Sequence, residues 1–114
     1  MLSRTHRFHG HNSLNWAYRQ GKSTRDSKIS LKYVINPKRS SYRAAVVVSR
    51  KVSKSAVVRN KIRRRTYEVI REIGPEINNN YDLIFSVYSD SLAELPYPEL
   101  KQLVVERMRQ ARVI

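Results

Sequence analysis

Residues 56–73, AVVRNKIRRRTYEVIREI, can be buried in few ways. On a helical wheel Val58, Ile62, Val69 and Ile73 share one face at steps of four, seven and four, so a helix here has an apolar side that needs a core. The opposite side carries Asn60, Arg64, Tyr67 and Arg71, with Arg59 and Arg63 along one edge and Lys61, Arg65 and Glu68 along the other. Ser55 offers the N-cap, and Gly74 followed by Pro75 offers the stop. The rest of the chain must supply an apolar surface for one side of this helix and leave the cationic side uncovered.

That surface is legible as strands. In KISLKYVI, residues 28–35, Ile29, Leu31, Tyr33 and Ile35 alternate with Lys28, Ser30, Lys32 and Val34, the pattern of a half-buried strand. The turn NPKRSS leads to YRAAVVVS, residues 42–49, whose Ala and Val run predicts a strand covered on both faces and lying mid-sheet. NNN at 78–80 is a turn, and YDLIFSVY, residues 81–88, is a third strand. Before them, Asn12 or Ser13 can cap a short helix that stops at Gly21 and shares Leu14, Ala17 and Tyr18 on one face. Leu14 reads as a core position, and Trp16 and Tyr18 are left open between core and surface. After them, Pro98 suits the first turn of a last helix with an apolar stripe of Leu100, Leu103, Val104, Met108 and Ala111. The order α-β-β-α-β-α predicts a single α+β domain over 1–114, with a flexible basic arm over 1–11.

Charge says what the uncovered side meets. The chain holds 23 Lys and Arg against 9 Asp and Glu, a net charge of +14 that repels itself unless a polyanion binds. Eight of the cations, Arg50, Lys51, Lys54, Arg59, Lys61, Arg63, Arg64 and Arg65, fall between positions 50 and 65. Pairs such as Arg64 or Arg65 with Glu68 are worth only about 0.3–0.5 kcal/mol each. Cations at a helix N-terminus also oppose the helix dipole, a cost that bound phosphate reverses. Nucleic acid is the expected partner. No apolar run is long enough to span a bilayer and no signal-peptide pattern opens the chain, so a soluble cytoplasmic protein without a membrane is expected. The chain has no Cys, and His6, His9 and His11 lie in the basic arm without a nearby carboxylate, so no metal site is expected.

The segment SRKVSKSAVVRNKIRRRTYEVIRE resembles the signature of the bacterial ribonuclease P protein subunit, the basic partner of the catalytic RNA that trims the 5′ leader from precursor tRNA. The family pattern runs Val-Ser-Lys-Lys-Val, a short loop, then Ala-Val-x-Arg-Asn-Arg-x-Lys-Arg-x-x-Arg-Glu. Here Val48-Ser49-Arg50-Lys51-Val52 takes the first part and Ala56-Val57-Val58-Arg59-Asn60 opens the second. Lys61 stands for the usual Arg, Arg63 for the usual Lys and Tyr67 for the last Arg. The first two keep charge but exchange fork geometry and point charge. Tyr67 removes a charge and can stack or hydrogen-bond, and Arg65 lies close enough to supply the charge instead. LNWAYRQG is similar to the family's first-helix segment, with Leu14 and Tyr18 at its two aromatic positions.

The resemblance implies a two-layer α/β sandwich with a small, mainly antiparallel sheet, like the second domain of ribosomal protein S5, and a left-handed βαβ crossover. It implies that Arg50, Lys51, Lys54, Arg59, Asn60, Lys61, Arg63, Arg64, Arg65 and Arg71 contact the catalytic RNA. Leu14, Tyr18 and Lys32 line a cleft for the single-stranded leader, with Tyr18 stacking on a base and Lys32 neutralising phosphate. The RNA supplies Mg²⁺-dependent hydrolysis, and the protein is a monomer, one per RNA. The residues agree with that division, because Glu68, Glu72, Asp82, Asp90, Glu94, Glu99 and Glu106 make no catalytic constellation. A ribosomal or assembly-type RNA binder would share the basic patch and need no leader cleft. A DNA regulator fits less well, since Arg and Lys with few amides suit phosphates better than base edges.

Overall fold

The computed structural model describes residues 6–7 and 11–114, the side chains of residues 11–13 excepted. The element order is α1 (His11–Gln20), β1 (Lys22–Arg25), β2 (Ile29–Ile35), β3 (Arg43–Val48), α2 (Ala56–Ile73), β4 (Tyr81–Val87) and α3 (Tyr97–Gln110). The four strands form one sheet in the order β1-β2-β4-β3. Two of its pairings are antiparallel, and β3 with β4 is parallel, joined through α2. This is the expected α+β sandwich.

Alternation along the strands separates the two faces. Ile29 and Leu31 of β2, Ala44, Val46 and Val48 of β3, and Leu83, Phe85 and Val87 of β4 meet α2 and α3 in the main core. Onto them α2 lays Ile62, Val69, Ile70 and Ile73, with the half-buried Val58 at the start of the helix. Thr66 is fully buried on the same side, and its hydroxyl is satisfied by donating to the Ile62 carbonyl at 2.8 Å. From α3, Leu100, Val104, Met108 and Ala111 are buried as the stripe predicts, with Leu103 at its margin. The two helices are braced by Tyr97, whose hydroxyl donates to Glu72 at 2.9 Å, and by Lys101, 3.1 Å from the same carboxylate. Burial and then this Glu72 contact push the Tyr97 hydroxyl up to about 12.

The other face is covered only in part. Here α1 sets Ala17 on Ala45 and Ile84, with Leu14, Trp16, Val34 and Val47 around them. Gly21 ends α1 where a Cβ would lie 2.9 Å from Lys32 Cγ and 2.6 Å from the Ala17 carbonyl, so glycine lets the helix end rest on β2. The helix begins at His11, so Asn12 and Ser13 lie inside its first turn rather than capping it. Ser55, by contrast, does cap α2, accepting from the Val58 N–H at 3.2 Å.

Two strands depart from the sequence reading. β1 is absent from it, because KSTR is mostly exposed and carries no apolar alternation. β3 is not mid-sheet but at the edge. Burial on both faces requires layers above and below, and α2 and α1 provide them without a second strand neighbour. The open edge is closed by other means. Arg7 bridges to Ala44, and the Tyr67 hydroxyl accepts from the Val46 N–H at 3.2 Å. His6 also docks, stacked on Tyr42 at 4.1 Å with Nδ1 2.9 Å from the Tyr42 carbonyl. The remainder of the expected arm, through residue 10 and including His9, lies outside the described residues, as does the side chain of His11.

At the far end of the sheet Asp82 is fully buried between Arg43, which donates at 3.0 and 2.9 Å, and Asn36, which donates at 2.9 Å. These bonds tie the ends of three strands together. Removing one partner of such a pair leaves an uncompensated buried charge. Asp82→Ala is expected to lower unfolding free energy by about 3 kcal/mol, measured by denaturant titration.

Candidate nucleic-acid interface

The N-terminal half of α2 and the loop before it form one cationic surface. Arg50, Lys51 and Lys54 are exposed and line a shared depression beside the helix start. The loop keeps its shape through Val52 N–H on the Ser49 carbonyl at 3.1 Å and Arg59 Nη1 on the Ser53 carbonyl at 2.8 Å. Arg59 therefore shapes the loop as well as adding charge. Arg63 donates to the exposed Asn60 at 3.2 Å, which aligns the two side chains along one edge. Arg64 is exposed and bonds no other described side chain. Lys61 is held 2.9 Å from Glu94, and this ammonium keeps the Glu94 carboxyl below the usual range.

Three positions depart from the expected surface. The Arg65 guanidinium turns away to clamp the loop after β4, donating to the Leu92 carbonyl at 2.6 Å and to the Leu95 carbonyl. Those carbonyls have a charged donor in place of water, so Arg65 serves the fold. Tyr67 does not face outward with Arg64; it is half-buried against the core and closes the edge of β3. Arg71 is exposed but lies twelve residues beyond Arg59, about 18 Å along the helix, and is paired with Glu68 at 3.2 Å. It borders a separate concavity at the other end of the sheet, with Arg39, Tyr42 and Asn78. Glu68 thus pairs with Arg71, not with Arg64 or Arg65.

The expected cleft residues lie on α1 and on the α1 side of β2. Leu14 is half-buried on the small cluster, Tyr18 is 39% exposed on α1, and Lys32 is half-buried on β2 beside the end of that helix. The exposed ring and the ammonium give this face the two features a single-stranded nucleic acid uses. Among the described residues no group of three or more His, Cys, Asp or Glu side chains converges, and no helix is long and apolar enough to cross a membrane.

The family model for ribonuclease P matches residues 2–112. The chain belongs to the ribonuclease P family. Its relatives include the ribonuclease P protein components of Roseiflexus castenholzii, 38% identical over 72 residues, and of Bacillus cereus, 26% identical over 110 residues. The first match takes in 63% of this chain and 58% of the relative, the second 96% and 94%. With Roseiflexus sp. at 48% and Chloroflexus aggregans at 54%, the chain spans about half the length of the first relatives it matches. Among solved structures, the Staphylococcus aureus RNase P protein superposes with a TM-score of 0.82 at 19% identity, covering 95% of this chain and 96% of that one. The Thermotoga maritima RNase P protein gives 0.76 at 19%, covering 85% and 89%. At such identity these two establish the shared fold. None of these matches favours a ribosomal protein.

The geometry separates neighbours on α2 by role. Arg65→Ala is expected to lower stability by about 2 kcal/mol, the cost of leaving its carbonyl partners unpaired, whereas Arg64→Ala is expected to stay within about 0.5 kcal/mol of the parent. Thermal melts of the two variants check this. Glu94→Gln releases Lys61 without removing a cation, and is expected to tighten RNA binding by about 2- to 5-fold, read by filter binding at fixed salt.

Proposed function

We propose that this chain is the protein subunit of a ribonuclease P holoenzyme. In this reading the start of α2 and the loop 49–55 bind the catalytic RNA, and the partly covered sheet face takes the 5′ leader of precursor tRNA. Family membership over residues 2–112 is the observation that carries it. The surface chemistry supports it: Arg50, Lys51, Lys54, Arg59, Lys61, Arg63 and Arg64 are suited to phosphate oxygens, and Asn60 to a hydrogen bond.

The protein's work is positioning. Two RNAs approaching one another repel, and a chain of net charge +14 lying between them lowers that repulsion. The RNA, not this chain, would hold the Mg²⁺, which would supply activation of water and stabilisation of the leaving oxygen. Tyr18 stacks on an unpaired leader base, Leu14 supports the helix beneath it, and Lys32 neutralises an adjacent phosphate. The holoenzyme contains one such protein per RNA, as a monomer.

The test is reconstitution with the catalytic RNA of the source organism. The protein alone is expected not to cleave precursor tRNA, and its addition is expected to restore cleavage by the RNA at limiting Mg²⁺. In the same complex Tyr18→Ala is expected to weaken precursor tRNA binding by about 1–3 kcal/mol and to leave mature tRNA binding nearly unchanged. Robust cleavage by RNA-free protein, or equal losses for both tRNAs, would overturn this reading.

A further inference from the structure

On the α1 side the sheet continues past the helix as a polar floor. Beyond the residues that α1 covers, it is formed by Ser30 and Ser86, directly paired on β2 and β4, and by Ser23 and Arg25 of β1, paired with Lys32 and Ser30. Cross-strand partners share a face, so all of these side chains lie on the α1 side. Tyr88 follows Ser86 by two residues and keeps to the same side. Three contacts hold it there. Its N–H donates to the Lys28 carbonyl at 2.8 Å, its hydroxyl shares a hydrogen bond with Ser30 Oγ at 2.8 Å, and the Arg25 guanidinium sits 4.6 Å from its ring centroid. The ring belongs to neither apolar cluster and Tyr88 stays 45% exposed. A large aromatic group fixed in place yet left in water contributes little to the core.

Its position adds a second observation. β3 ends at Val48, which pairs with Val87, the residue before Tyr88. The loop 49–55, with Arg50, Lys51 and Lys54, therefore leaves the sheet at the same end as Tyr88. The ring reaches over β2 to Arg25 of β1, while the basic loop leaves β3 on the other side of β4, at the same end of the sheet.

We propose that the Arg25–Tyr88 pair is a base-stacking post for single-stranded RNA, on the α1 side of the sheet at the end from which the basic loop leaves. An unpaired leader base lies on the flat guanidinium and ring, whose cation also meets the flanking phosphate. Ser86 keeps the floor low beside the ring, and the buried Ser30 holds the ring by its hydroxyl. The inference rests on the reading that this face takes the leader, and it adds a nucleotide contact separate from that of Tyr18.

The experiment uses the reconstituted complex and a series of precursor tRNAs, each with one leader nucleotide made abasic. Binding is measured for the parent, Tyr88→Ala, Tyr88→Phe, Arg25→Lys and Tyr18→Ala. The parent is expected to lose about fivefold or more in affinity at each stacked position. Tyr88→Ala is expected to lose that sensitivity at one position, different from the position where Tyr18→Ala loses it. Tyr88→Phe keeps the ring and is expected to behave like the parent, while Arg25→Lys keeps the charge, loses the plane and is expected to follow Tyr88→Ala. A Tyr88→Ala protein as sensitive as the parent at every position overturns the post, and if Tyr18→Ala still loses one position the leader cleft stands. Loss at all positions together with a lowered melt also overturns it, by making the ring structural. If Tyr18→Ala too matches the parent throughout, the cleft itself falls.

Discussion

The docking of Ile62, Val69, Ile70 and Ile73 of α2 against the sheet sets the direction of every other side chain on that helix. A helix has one orientation once its apolar stripe is buried, and Arg64 then has to point to water. The same constraint brings Tyr67 to the open edge of β3 and Arg65 to the carbonyls of the loop after β4. Two residues that read as surface are thus drawn into the fold by geometry. The helix is held from both sides, by the β3–β4 pair beneath it and by α3 through Glu72, Tyr97 and Lys101.

Acidic residues are placed so that the start of α2 stays cationic. Asp82 is spent inside the protein on Arg43, Asp26 lies 3.7 Å from the buried Arg107, and Glu68 and Glu72 pair toward the end of α2. Among the described ion pairs, Glu94 alone reaches the N-terminal half, through Lys61. The helix dipole adds positive potential at that end. A protein arranged in this way is less stable alone than it is with an anion bound, because the anion cancels repulsion that the fold leaves standing. Surface ion pairs are weak and screened by salt, so Glu94 modulates the patch without neutralising it.

The two faces of the sheet have different chemistry for the same reason. One is closed by two long helices over a mainly apolar core. The other carries the short α1 over a small cluster and then a floor of serines with Arg25, Lys32 and Tyr88. A duplex would need a broad surface, whereas a narrow polar floor beside exposed rings suits unpaired nucleotides.

Local pattern was enough to read three helices, three of the four strands, the Ser55 cap and the stripe of α3, because periodicity and capping depend on residues a few positions apart. The cations of α2 were visible for the same reason, whereas Leu14, Tyr18 and Lys32 were singled out as cleft residues by the family resemblance. β1 was hidden, since an edge strand with polar residues has no alternation of its own and is defined by its pairing with β2. The run AAVVV showed burial on both faces, but burial is the same whether the cover comes from helices or strands, so the edge position of β3 could not be read from it. Arg65 and Arg71 look like Arg64 in the chain. Which arginine meets solvent, which meets a carbonyl and which stands about 18 Å away depends on where α2 docks. The Arg25–Tyr88 contact joins residues 63 positions apart in the chain. Hydrophobic spacing specifies elements through short-range contacts, whereas roles that depend on partners far along the chain arise only when tertiary packing brings those partners together.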